Sequence, residues 1–129
     1  GSGFVTACLA ALSRDVTSID RHADFVERTR ARLVAESITN VRVETADVFT
    51  WTPGRQFDAI CITGAVATDP DRFGAWLKPG GRLFVIHGQA PVQEAVLITR
   101  HGDSFHRESL FETDVPYLHG AEPASQFTL

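Results

Sequence analysis

The sequence contains no methionine, a single tyrosine and only two cysteines, and its one lysine, Lys78, stands against 11 arginines. Cys8 and Cys61 are 53 residues apart, which is not a metal-ligand spacing. Both sit among apolar neighbours, so buried free thiols are expected, with no metal, in a reducing, cytoplasmic compartment. Long hydrophobic runs are also missing. Stretches such as residues 59–62 fall far short of the roughly 20 residues that span a bilayer, and no charged segment followed by an apolar one opens the chain. A membrane is therefore excluded as a partner. There is no basic run either. The nearest, Arg28-Thr29-Arg30-Ala31-Arg32, spreads over the solvent side of a helix, and the net charge is −4, so nucleic acid is not expected as a partner. The absence of methionine, with Gly1-Ser2-Gly3 at the start, leads us to expect a piece of a longer protein.

What is present is ordinary for a globular chain: 129 residues, 43% hydrophobic and 22% charged, which predict one domain over 1–129. Residues 4–12 are apolar and alanine-rich and predict a buried helix. Residues 16–20 read as a strand ending on an acid. From His22 to Glu36, Ala23, Val26, the stem of Arg30, Leu33 and Val34 recur at helical steps and predict an amphipathic helix. Residues 41–45 alternate as a strand, and residues 57–63 form the near-continuous apolar run of a strand covered on both faces. Asp69-Pro70 opens a short helix that Pro79-Gly80-Gly81 is expected to end. A strand over 82–86 follows, then strands near 93–100 and 105–115 around the turn His101-Gly102-Asp103. The tail 119–126 is polar and weakly patterned. This order predicts an α/β fold with a mostly parallel sheet and a C-terminal antiparallel hairpin.

Three features suit a nucleoside cofactor. Gly1, Ser2 and Gly3 directly precede a helix, where glycine lets a ligand approach the backbone and free N–H groups point outward. Asp20 ends the next strand 17 residues after Gly3, near the roughly 20-residue offset at which an acid accepts from ribose hydroxyls. Asp47 follows the next strand, 27 residues after Asp20, placed to accept from an adenine amino group with Val48 beside the ring. Singly these are an ordinary turn, a cap and a loop acid. Together they converge on the crevice at the carboxyl ends of a parallel sheet. A dinucleotide-binding oxidoreductase is the competing reading. It is disfavoured because Thr6 stands where the G-x-G-x-x-G fingerprint needs glycine or alanine.

Leu77-Lys78-Pro79-Gly80-Gly81-Arg82-Leu83 resembles the helix-to-strand turn of class I S-adenosylmethionine-dependent methyltransferases. Gly1-Ser2-Gly3-Phe4-Val5-Thr6-Ala7 is similar to the end of their first motif as protein-L-isoaspartate O-methyltransferases carry it. So are Val16-Thr17-Ser18-Ile19-Asp20, Phe57-Asp58-Ala59-Ile60, Leu97-Ile98-Thr99-Arg100 and Val115-Pro116-Tyr117-Leu118. The resemblance implies a Rossmann-like sheet whose first strand lies before Gly1, and S-adenosyl-L-methionine as cofactor. It implies methylation of isoaspartyl residues in a protein or peptide substrate, a repair reaction. Thr63 joins the implied cofactor contacts, and Gly64, Ala65, Val115 and Pro116 the implied substrate wall. Ala46-Asp47-Val48 departs from the family's Gly-Asp-Gly, and Gly64 departs from its alanine-rich loop. These departures leave open a divergent relative that serves as a binding or regulatory module, or that methylates another substrate.

No side chain is assigned to the chemistry. A carboxylate with a pKa of about 4 needs no general base at neutral pH. His22, His87, His101, His106 and His119 are scattered over the elements and are read as non-catalytic.

Overall fold

The computed structural model describes residues 3–89, 92–118 and 120–123. The expectations placed on Gly1, Ser2, His119 and residues 124–126 lie outside the described residues. The chain divides into two compact units, Gly1–Thr52 and Pro53–Leu129.

The first unit runs α1 (Phe4–Leu12), β1 (Val16–Asp20), α2 (Ala23–Ala35) and β2 (Val41–Thr45). The two strands pair in parallel, from Val16 opposite Val41 to Asp20 opposite Thr45. Val26, Leu33 and Val43 form its core, with Ala7, Ile38 and Val41 packed around them. The inward line of α2 is Val26, Thr29 and Leu33, spaced by three and four residues. The expected stripe is thus corrected at its margins: Ala23 is exposed and Val34 is 79% exposed. Threonine takes an inward place because its methyl packs where Gly3 leaves room. The Arg30 guanidinium donates to the Val43 carbonyl at 2.6 Å, tying α2 to β2. Burial of α1 is also corrected. Ala10 is buried, but Val5 is 42% and Leu12 84% exposed, and Cys8 is exposed rather than buried. A helix apolar on every side gives no polar face to fix its orientation.

The second unit holds β3 (Phe57–Val66), a 3-10 helix (Pro70–Trp76), β4 (Leu77–Gln89), β5 (Val92–His101) and β6 (Ser104–Thr113). The sheet order is β3-β4-β5-β6. β3 and β4 are parallel, whereas β4–β5 and β5–β6 are antiparallel. The hairpin falls where the sequence puts it, with His101 opposite Ser104 and Gly102 at φ 61°. Phe73, Leu77, Leu83, Val85 and Ile98 are fully buried in this unit.

Two boundaries differ from the sequence reading. The helix opened by the Asp69 side chain, which accepts from the Asp71 N–H, is 3-10 and ends at Trp76. Pro79-Gly80-Gly81 therefore does not stop it. The triplet lies inside β4 as a bulge, since Phe57 opposes Leu77 while Ala59 opposes Arg82. Gly80 has φ 80°, and a side chain on Gly81 would lie 2.8 Å from the Lys78 carbonyl. β6 ends at Thr113 rather than Val115, for a reason that lies in the site below.

Candidate functional site

The short turn after Leu12 returns the chain into β1, so α1 runs antiparallel to β1 and starts near that strand's carboxyl end. A hydroxyl pair, Thr6 Oγ1 to Ser18 Oγ at 3.0 Å, fixes this packing. Gly3 caps α1 with φ 83°, and its carbonyl accepts from the Ala7 N–H at 3.0 Å. A Cβ on Gly3 would lie 2.9 Å from Thr29 Cγ2, so this turn admits glycine both for its backbone angle and for space.

Asp20 and Asp47 leave the same end of the two parallel strands. Asp20 opposes Thr45, and its carbonyl accepts from the Ala46 N–H at 2.9 Å, one residue before Asp47. Asp20 Oδ1 accepts from the His22 N–H at 2.8 Å. Partial burial pushes the Asp20 carboxyl up, while the hydrogen bond from the His22 N–H draws it down. It is an acceptor-only carboxylate at neutral pH. Asp47 Oδ1 accepts from the Phe49 N–H at 2.9 Å, and its carbonyl takes the Trp51 N–H at 2.8 Å. The loop is thereby folded into a tight turn that holds half-buried Val48 beside the carboxylate. Gly3, Asp20, Asp47 and Val48 all belong to the first unit.

Thr63, Gly64, Ala65, Val115 and Pro116 belong to the second. Cys61 opposes Phe84 but Ala65 opposes Ile86, so residues 62–64 bulge from β3. Thr63 is exposed on this bulge and Ala65 is fully buried. After Thr113 the chain leaves β6 and crosses to β3, where Ala65 and Tyr117 form a parallel bridge. The Ala65 N–H donates to the Pro116 carbonyl at 2.9 Å, and the Leu118 N–H donates to the Ala65 carbonyl at 2.8 Å. The Ala65 amide is thus engaged by the protein itself, and Ala65 serves as an anchor for the Val115–Pro116 stretch. Gly64 has a packing reason for departing from alanine. A Cβ there would lie 2.7 Å from Leu118 Cδ2 and 3.1 Å from the Leu118 nitrogen.

Sequence reasoning missed Gln93. It is fully buried, and its Oε1 accepts from the Val115 N–H at 2.8 Å. The signal was there: Gln93 sits two residues before buried Ala95, an amide at a core position of an alternating strand. Thr29 and Tyr117 were missed as well. Tyr117 donates its hydroxyl to the Gly88 carbonyl at 3.3 Å.

Residues 1–118 match the profile of the family described as Protein-L-isoaspartate(D-aspartate) O-methyltransferase (PCMT). The chain is 36% identical over 112 residues to a protein-L-isoaspartate O-methyltransferase of Magnetococcus marinus, covering 85% of this chain and 49% of the relative. It is 36% identical over 127 residues to one of Methylorubrum extorquens, covering 96% of this chain and 55% of the relative. The chain thus spans about half the length of the curated relatives it matches. Among solved structures it is similar to a putative protein-L-isoaspartate O-methyltransferase from Plasmodium falciparum in complex with S-adenosyl-L-homocysteine. That likeness has a TM-score of 0.79 at 18% identity, over 92% of this chain and 62% of the other, and speaks for the fold.

Proposed function

The chain belongs to the protein-L-isoaspartate(D-aspartate) O-methyltransferase family, and from that membership we propose that it takes part in S-adenosyl-L-methionine-dependent methylation of L-isoaspartyl carboxylates in proteins or peptides. The reaction is one of protein repair, and we place it in the cytoplasm. The observation that carries this reading is that Asp20 and Asp47 leave one end of the β1–β2 pair, with the Gly3 turn opening the helix that packs on β1. The residues fit a nucleoside. The Gly3 turn offers backbone without a side chain, Asp20 is an ionised acceptor for ribose hydroxyls, and Asp47 keeps Oδ2 for an amino group while Oδ1 holds its own turn. In this reading half-buried Val48 would lie against the adenine ring.

S-adenosyl-L-methionine, when bound, would supply a methyl group activated on sulfonium sulfur. The chain's own part is to hold and to exclude water: the acceptors fix the nucleoside, and Gly64, Val115 and Pro116 form a wall for the peptide, anchored on buried Ala65. The substrate carboxylate, with a pKa of about 4, arrives ionised, so no side chain has to remove a proton. The test is a methylation assay of the protein on an isoaspartyl peptide and on its aspartyl twin. Transfer to the first alone is expected; equal transfer, or none to either, would overturn the proposal.

A further inference from the structure

Gln93 is a core amide that is bonded through its oxygen and not through its nitrogen. Its Oε1 accepts from the Val115 N–H at 2.8 Å, while its Nε2, buried from solvent, has no partner. The orientation of the amide is set by that first bond, because turning it over would bring Nε2 against the N–H of Val115, donor against donor. The other bonds of this stretch, between Ala65 and Pro116 and between Ala65 and Leu118, run backbone to backbone, and Tyr117 reaches Gly88 from within the stretch itself. Gln93 is a scaffold side chain that decides where the crossing begins. It opposes Thr113, the last residue of β6, and catches the chain two residues later, just as it leaves the sheet. Proline at 116 has no N–H, so the Val115 amide is the donor available there for such a catch.

We propose that Gln93 is a positioning residue: the buried acceptor that sets the course of Val115 and Pro116 from β6 to Ala65, and through them the fit of the peptide substrate. This rests on the reading of Val115 and Pro116 as substrate wall. Gln93 touches neither the peptide nor the cofactor in this role, so its effect belongs on recognition of the peptide and leaves the cofactor alone.

The test compares Gln93→Leu, which removes the acceptor, with Gln93→Glu, which keeps an oxygen facing Val115 and removes the unpartnered donor. With an isoaspartyl peptide, Gln93→Leu is expected to raise the peptide KM at least about fivefold (about 1 kcal/mol, at 1.4 kcal/mol per tenfold). The KM for S-adenosyl-L-methionine should stay within about twofold, and Gln93→Glu should restore most of the peptide KM. An unchanged peptide KM in folded Gln93→Leu overturns the proposal. So does a loss shared equally by both KM values and kcat, which marks a merely structural residue. If Gln93→Leu does not fold, Gln93→Asn, which withdraws the amide by one methylene, is judged by the same criteria. Hydrogen exchange at the Val115 amide gives a reading independent of activity. Should the unmodified protein methylate no isoaspartyl peptide, the proposed function fails by itself. Faster exchange in the variant then still supports the catch by Gln93, and equal exchange overturns it.

Discussion

Among the described residues, the first unit holds four of the sixteen buried apolar side chains, Ala10, Val26, Leu33 and Val43, and the second holds the other twelve. The first is fastened instead by polar contacts. Thr6 bonds Ser18, Asn40 Nδ2 donates to the carbonyls of Ala10 and Ser13, and Arg30 donates to Val43. The second is a four-stranded sheet around fully buried Phe73, Leu77, Leu83, Val85 and Ile98. The acceptors proposed for the cofactor, Asp20 and Asp47, thus stand on the lightly cored unit. The wall proposed for the peptide stands on the heavily cored one, where backbone bonds and close packing fix the course of the chain. A substitution at the acceptors of the first is expected to show in cofactor affinity, and one in the apolar core of the second in stability.

The largest effect that separates them is expected at Phe73, which is fully buried. Phe73→Ala leaves a cavity and should cost about 3–5 kcal/mol in a denaturant titration. A loss below about 1 kcal/mol would mean the second unit is not held by its core. Gly64→Ala comes next. With Leu118 atoms 2.7 and 3.1 Å from the added carbon, the 115–118 stretch must shift, and about 1–3 kcal/mol of stability should go with it. An unchanged denaturation midpoint would show that this crossing yields freely. Asp20→Asn tests the other side. Cofactor affinity, followed by titration calorimetry, should weaken by about 1–3 kcal/mol as a charge-assisted bond is lost, with little change in unfolding. Full affinity with reduced stability would reverse the comparison. The smallest effect is expected at the thiols. Cys8 is exposed, whereas burial pushes the Cys61 thiol up and holds it protonated at pH values where an open thiol ionises. The thiolate is the reacting form, so timed alkylation read by mass spectrometry should label Cys8 well before Cys61. Equal rates would indicate that β3 opens as readily as the surface of α1.

Much of this architecture is legible in order along the chain, since its signals are local. Alternation marks β2, helical spacing marks α2, and Gly102 between two apolar runs marks the β5–β6 turn. The strand-ending place of Asp20 and the loop place of Asp47 follow from the same signals, and so does the glycine turn at Gly3. That the two carboxylates share one end follows from parallel pairing, which the helix between the strands dictates.

Pairing and packing decided the remainder, because they join residues far apart in sequence. Pro79-Gly80-Gly81 carries the marks of a helix stop, yet the register of β3 against β4 makes it a bulge. Val115 continues an apolar pattern, yet the acceptor on Gln93, 22 residues earlier, draws it off the edge of β6. Gly64 looks like a loosened loop until Leu118 is seen to occupy the space of its missing Cβ. α1 is apolar all round, and only its neighbours choose which face is covered: Ala10 is, Leu12 is not. Sequence periodicity and turn chemistry fix each element by its own residues, while the bulges, the crossing and the buried faces depend on which distant atoms meet, and that is settled only when the chain packs.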